Sequence, residues 1–285
     1  MEWIERLNNA MEYIEEHLTD EINYDQASKI ACCSTFHFQR MFVYMAEVTL
    51  SEYIRRRRMS LAAADLKFTR SKVIDIALKY GYDSPTAFNR AFQSVHGIAP
   101  SLARKEGVSL KSFSPISFQI SIKGDFEMNY RIETKEPFRI VGISEELGTD
   151  IESNFETVPK MWQKAVTEGI LEKLAAIMDN QPMGLMGVSA CTENEHWKYY
   201  IAVASSKPAA QPFGEFVVPE STWAIFYGEG TMPDSIQELE KRIVTEWLPT
   251  SGYEYGNAPD IELYLSPDPI NAKFEVWIPV TKKEQ

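Results

Sequence analysis

Phe38, Phe42 and Met45 fall at i, i+4 and i+7, the spacing that aligns side chains on one face of an α-helix. Phe88, Phe92 and Val95 repeat the pattern fifty residues later. Each group predicts the buried face of a helix, N-capped by Ser34 or Ser84. Pro85 suits the first helical position of the second copy. A shorter helix is expected before each, at 24–31 and 71–80. The turn between them in the second copy is Gly81-Tyr82-Asp83, where glycine supplies a left-handed helix end. Ala31 stands at the matching position of the first copy and is a weaker terminator.

The offset of 50 is a true internal repeat. Ala27 matches Ala77, Ser34 matches Ser84, Phe38 matches Phe88, Arg40 matches Arg90 and Phe42 matches Phe92, and Gln39 faces the similar amide Asn89. Each copy therefore reads as helix, tight turn, helix. The polar face of the second helix shows Phe36, Gln39, Arg40 and Val43 in copy one. In copy two it shows Thr86, Asn89, Arg90 and Gln93. Such a face is commonly just solvated. Amides and arginines early in an exposed helix also match adenine and guanine edges in a major groove, and the matched amide–arginine pairs favour that use. Residues 50–66 between the copies contain no Gly or Pro and read as one helix of about 26 Å. It would be a strut holding two reading helices near one DNA turn apart, about 34 Å. Of its four arginines, 55–58, some are expected on phosphate and others on Glu52 or Asp65.

Beyond residue 106 the period changes. A linker over 107–126 with a short strand at 116–122 is expected. Strands follow at 130–136 and 139–144, broken by Pro137, then a helix at 155–174 and strands at 184–191, 197–204, 216–219 and 222–227. A second helix at 235–247, capped by Asp234 or Ser235, precedes strands at 260–265 and 273–280. The order is a duplicated β-α-β-β unit, which predicts an α+β layer with helices on one face of an antiparallel sheet. Period two places Glu262 with Tyr264, opposite Ile261, Leu263 and Leu265. Glu275 shares a face with Trp277, Trp223 with Tyr227, and Trp197 with Tyr199. A carboxylate among aromatic walls suits a lipophilic cation. Aromatics and glutamate are equally ordinary on strand faces.

Length and charge refine this picture. The chain has 285 residues, a soft prior for two domains. Its net charge of −12 is uneven. Residues 1–29, which open with the acidic amphipathic stretch MEWIERLNNAMEYIEEHL, carry −6. Residues 30–110 carry +6 and residues 111–285 carry −12. One basic block sits between acidic ones and could meet a polyanion. No apolar run approaches the ~18 residues of a membrane span, and the N-terminus lacks secretory-signal character. The expected compartment is the cytoplasm. Three cysteines, two of them adjacent at 32 and 33, and four scattered histidines give no disulfide framework or zinc spacing. No metal, cofactor or catalytic motif is expected.

The segments STFHFQRMF (34–42), EYIRRRRM (52–59), DIALKYGYDSPTAFNRAF (75–92) and GIAP (97–100) resemble the DNA-binding domain of AraC/XylS-type transcription regulators. The resemblance implies an all-α domain with two helix-turn-helix motifs over 1–106. It implies base-reading residues Phe36, Gln39, Arg40, Pro85, Thr86, Asn89 and Arg90. Phosphate contacts are expected from Arg55, Arg58, Ser34 and Ser84. The sequence departs from the pattern at Ala31 and Glu47, where the family often has glycine.

Residues 128–281 resemble the GyrI-like effector-binding domain, which also closes Rob-like regulators and BmrR-like activators. The carriers are WAIFYGEG (223–230), the stretch IQELEKRIVTEWLPTSGYE (236–254), PDIELY (259–264) and VWIPV (276–280). This implies an effector domain over 127–285 with Glu262 as the cation partner and Tyr264, Trp223, Trp162, Tyr199 and Trp277 as walls. The whole would be a DNA-binding regulator, by default an activator, with promoter DNA, a small hydrophobic or cationic ligand and RNA polymerase as partners and no membrane. Two alternatives remain for the C-terminal half. One is a hydrolase of cyclopropane-bearing toxins using Glu262 and Tyr264 as acid and base. The other is a protein-docking module without ligand.

Overall fold

The computed structural model describes residues 3–119, 127–148, 151–192, 196–266 and 268–283. The chain divides into two units, Met1–Gln119 and Ile120–Gln285.

The first unit is helical. Helix α1 (Trp3–Glu16) buries Trp3, Leu7, Ala10, Met11 and Ile14 along one stripe. Helix α2 (Tyr24–Ile30) is capped by Asn23, whose side chain accepts from the Gln26 N–H. Helix α3 (Thr35–Ala46) is capped by Ser34, and helix α4 (Leu50–Phe68) by Thr49. Helix α5 (Val73–Lys79) is followed by α6 (Pro85–His96), capped by Ser84 with Pro85 at its first position. Both expected helix-turn-helix copies are present.

The copies end their helices differently. Gly81 takes φ +77°. At the matching place Ala31 stays right-handed at φ −74°, and Cys32 takes the left-handed turn instead, at φ +55°. Likewise Gly97 closes α6 at φ +76° while Glu47 closes α3 at φ +56°.

The connecting helix α4 is a core element as much as a strut. Its Met59, Ala62, Ala63 and Leu66 pack with Ile76, Ala77, Phe88 and Phe92 of the second copy. Arg57 is nearly buried and forks onto Glu15, with Nε and Nη2 at 2.8 and 2.6 Å. The Tyr53 hydroxyl donates to the same carboxylate at 2.6 Å.

Residues 107–119, expected to be linker, instead pack onto the helical unit. Phe113 receives Arg57 Nη1 on its carbonyl and donates its N–H to Ser60 Oγ at 2.9 Å. The Ile116 N–H reaches the Tyr53 hydroxyl at 3.2 Å. Asn8 exchanges two hydrogen bonds with the Phe118 backbone, at 2.7 and 3.0 Å, and the Phe118 ring stands edge-on to Phe42. With side chains supplying its backbone partners, the segment forms no strand over 116–119. The rest of that expected strand, 120–122, and linker residues 120–126 lie outside the described residues.

The second unit is an antiparallel sheet with helices on one face. Its strands are β1 (Tyr130–Lys135), β2 (Phe138–Glu146), β3 (Leu185–Cys191), β4 (Trp197–Ala204), β5 (Gly214–Val218), β6 (Ser221–Gly230), β7 (Tyr253–Tyr255), β8 (Asp260–Tyr264) and β9 (Ala272–Lys282). The sheet order is β1-β6-β9-β8-β3-β4-β2-β5, with β7 added to β9. The helix expected at 155–174 is two helices, α7 (Ile151–Thr167) and α8 (Ile170–Ile177). Gly169, at φ +63°, makes the break. The second expected helix starts at α9 (Asp234–Arg242), continues as a π-helical turn (Ile243–Trp247) and ends in α10 (Leu248–Thr250). Pro233 occupies its N-cap without a side-chain hydrogen bond, so neither Asp234 nor Ser235 serves there.

The sheet is strongly curled. Phe138 on β2 and Trp223 on β6 lie five strand steps apart, about 24 Å across a flat sheet. Their ring centroids are 6.5 Å apart. The inner face of the curl is filled by Met186, Val188, Tyr200, Trp223, Ile225, Ile261 and Trp277, among others.

Candidate functional site

The two reading helices present different surfaces. On α6, Pro85, Thr86 and Arg90 are exposed and Asn89 is half-buried, beside a narrow buried stripe of Phe88, Phe92, Val95 and His96. All four expected residues share one accessible side. On α3 the buried residues are His37, Phe38, Gln39, Met41 and Phe42. At about 100° per residue they cover some 200° of the helix circumference, and Gln39 lies within that arc at 4% exposure. Gln39 is therefore corrected from a base-reading residue to a buried one. Phe36 and Arg40 stay half-exposed. Arg40 Nε donates to the Tyr44 hydroxyl at 3.2 Å, with the guanidinium carbon 5.7 Å from the Tyr44 ring centre.

The arginine run separates by role. Arg55 is exposed and pairs with Glu52, as does Arg56 at 2.6 Å. Arg58 is corrected from phosphate contact to structural clamp. Its Nε donates to the Leu18 carbonyl at 2.8 Å and its Nη2 to the Asp20 carbonyl at 2.7 Å, satisfying orphan acceptors beyond the end of α1. Asp65 takes Lys79 and the Tyr80 hydroxyl, at 2.8 and 2.9 Å, rather than an arginine. Ser34 and Ser84 both accept from the helix N–H three residues on, at 3.2 and 3.4 Å.

In the second unit Glu262 lies at the centre of a polar cluster on the helix-covered face. Its Oε2 accepts from the Tyr264 hydroxyl at 2.8 Å and from the Tyr199 hydroxyl at 3.1 Å. Trp162 of α7 closes over them. Its Nε1–H donates to the Tyr199 hydroxyl at 2.9 Å, and its ring meets Tyr264 edge-on at 5.0 Å. Burial, reinforced by the Glu262 charge, pushes both tyrosine hydroxyls well above their ordinary range. They stay protonated and act as donors to the carboxylate.

Gly187 makes this arrangement possible. It is paired with Glu262 on one side and Ile201 on the other. A Cβ there would overlap the Tyr199 hydroxyl and come within 2.9 Å of Glu262 Oε2. A glycine inside a strand is the sequence signal for such close approach. A second carboxylate, Glu240 on α9, is buried, and its charge adds to the upward push on both hydroxyls.

The structure thus brings together Glu262, Tyr264, Tyr199 and Trp162. It removes Trp223 and Trp277 from the site. Trp277 is paired with Ile261 in the β8–β9 register and with Ile225 in the β6–β9 register. Cross-strand partners share a face, so Trp277 lies opposite Glu262, inside the curl with Trp223. Both are fully buried there. The Trp223 Nε1–H is satisfied by the Pro259 carbonyl at 3.0 Å, and that of Trp277 by Glu275 at 2.8 Å. Glu275 also holds Arg131 at 2.9 Å.

Among the described residues no cluster of His, Cys, Asp or Glu is arranged to hold a metal ion. Cys32, Cys33 and Cys191 form no disulfide. Burial, then the neighbouring Cys32, pushes the Cys33 thiol up to about 12. No helix of the described residues is long and apolar enough to cross a membrane.

Tandem helix-turn-helix units on one chain with a sheet domain carrying a half-buried carboxylate held by two tyrosines define a DNA-binding transcription regulator with a small-molecule-binding domain. The chain belongs to the GyrI-like small molecule binding domain family, whose sequence profile matches residues 128–281, and a helix-turn-helix domain profile matches residues 27–106. The chain is 40% identical over 98 residues to the HTH-type transcriptional activator AarP of Providencia stuartii, covering 34% of this chain and 73% of AarP. It is 24% identical over 298 aligned positions to the right origin-binding protein of Escherichia coli K12, covering 97% of this chain and 98% of that protein. A putative transcription regulation protein from Staphylococcus aureus MU50 superposes with a TM-score of 0.47 at 22% identity, covering 54% of this chain and 99% of that one.

Proposed function

We propose that this regulator places α3 and α6 in successive major grooves and is controlled by a lipophilic cation bound at Glu262. On the DNA side, α4 spans 19 residues, about 28 Å, a length compatible with two reading helices about 34 Å apart on one face of a duplex. Phe36, Arg40, Pro85, Thr86, Asn89 and Arg90 would read bases, with Arg55, Ser34 and Ser84 near phosphate. Phe36 suits a thymine methyl, and the arginines suit guanine.

The observation that carries the effector reading is the half-buried Glu262 carboxylate, held by two tyrosine hydroxyls that Trp162 contacts in turn. A bound cation would gain charge attraction from the carboxylate and ring attraction from Trp162, Tyr199 and Tyr264. We read the protein as an activator that works with RNA polymerase in the cytoplasm, and its C-terminal unit as a binding domain rather than an enzyme.

The test is a binding titration of the full chain against fluorescent upstream duplex, with and without tetraphenylphosphonium, for wild type and Glu262→Gln. The expected result is saturable cation binding that shifts the DNA-binding curve and is weakened at least tenfold by the substitution. A loss of that size matches one charge-assisted contact. Cation binding of equal strength in Glu262→Gln would overturn the effector reading. Turnover of a cyclopropane-bearing compound that disappears with Glu262→Gln would favour a hydrolase instead.

A further inference from the structure

The two matched arginines of the repeat are not held alike. Arg40 lies four residues before Tyr44 on α3, on the same helix face. The tyrosine engages it twice. The hydroxyl accepts from Nε at 3.2 Å, and the ring carries the guanidinium at 5.7 Å from its centre. The offset of 50 places Ser94 where Tyr44 stands. Ser94 offers Arg90 no ring, and its Oγ donates to the Ala91 carbonyl of its own helix at 2.8 Å. Arg90 is exposed and Arg40 half-buried.

We propose that Tyr44 is a positioning residue that fixes Arg40 for reading a guanine, an inference that rests on the base-reading role proposed above for Arg40. An arginine loses much rotamer freedom when it binds. Holding Nε and the guanidinium plane on Tyr44 settles much of that orientation before DNA arrives. A guanine O6/N7 contact would then use the Nη1–Nη2 edge. The consequence is asymmetric specificity. The first motif reads its guanine with a pre-set fork, and the second reads with an arginine that must be ordered on binding.

The test uses the full-length protein and a duplex selected by it from a random pool. Each guanine in the selected site is replaced in turn by 7-deazaguanine, which lacks the N7 acceptor. Arg40→Ala identifies the guanine that Arg40 reads, as the position where sensitivity to the replacement vanishes. Tyr44→Phe keeps the ring and removes the hydroxyl. It is expected to lower discrimination at that same guanine by about two- to tenfold, the range for ordering one flexible side chain on binding. Affinity for non-specific DNA, its salt dependence and the melting temperature should be unchanged, which separates positioning from a structural role. If Arg40→Ala leaves every guanine equally sensitive, the base-reading role of Arg40 is lost and the proposal with it. If Arg40→Ala removes one sensitivity while Tyr44→Phe discriminates as well as wild type, the reading role stands and the positioning role of Tyr44 is overturned.

Discussion

At Glu47 the chain takes a left-handed conformation that costs an L-residue about 1–2 kcal/mol. Gly97 closes the equivalent helix of the second copy without that cost. Glu47→Gly removes the Cβ clash but enlarges the unfolded ensemble, which returns about 0.5–1 kcal/mol. The net expectation is a gain of about 0 to 1.5 kcal/mol, seen by calorimetry as a rise of up to several degrees in the melting of the helical unit. A lower melting temperature would contradict it. This departure was legible through the family resemblance, because glycine is frequent there where Glu47 stands. Single residues were less legible where their partners come from elsewhere in the chain. Arg58 reads as a surface charge until Leu18 and Asp20 lie beneath it, and Gln39 reads as exposed until the buried arc of α3 proves to include it. Trp223 and Trp277 were assigned to the site by residue type. Strand register, set by long-range pairing, put them on the other face.

At the scale of elements, α4, α6 and the 107–119 segment meet at His96. Its Nε2–H donates to the Met59 carbonyl at 3.0 Å, and its Nδ1 accepts the Lys111 N–H at 3.2 Å. These partners fix a neutral imidazole. Burial first, with the nearby Lys111 charge, holds its pKa below the usual 6.5, against a smaller upward pull from the Met59 bond. The unfolded chain therefore binds this proton more readily than the folded one. His96 stabilisation is complete above about pH 6.5 and is lost as pH falls from there toward the lowered folded value. Stability of wild type and His96→Gln, measured by urea unfolding between pH 7.5 and 5, should converge as pH drops. Parallel curves would rule out His96 as a source of the dependence. The helices and most strands were legible from periodicity and caps. The packing of 107–119 was not, because Ser, Pro and Phe in an aperiodic run look like linker. Its backbone partners, Asn8, Tyr53 and Ser60, lie 53 to 110 residues away.

Over the whole molecule the two-part plan was visible as a change of period and of charge. The curl of the sheet was not, since it depends on how the strands order themselves. The charge division has a kinetic consequence. Residues 1–119 carry 15 basic against 14 acidic groups, and residues 120–285 carry 14 against 27. The DNA-binding unit is thus nearly neutral overall with a basic middle, and it is tethered to a strongly acidic unit. A duplex approaching the reading helices meets attraction from the first and repulsion from the second. That repulsion acts through solvent, so it should be strong when the Debye length is about 30 Å at 0.01 M salt and nearly gone at about 3 Å in 1 M salt. The contacts of the helices with bases and phosphates are the same in either case. The full chain and a fragment ending at Gln119 should therefore differ in association rate at low salt, with the fragment faster. Their dissociation rates should agree, and the gap in association should close as salt rises. Stopped-flow binding to one fluorescent duplex across a salt series measures both rates. Association rates that coincide at every salt concentration would mean that the acidic unit does not act on the DNA from where it sits, and a difference confined to dissociation would point to direct contact in place of a field.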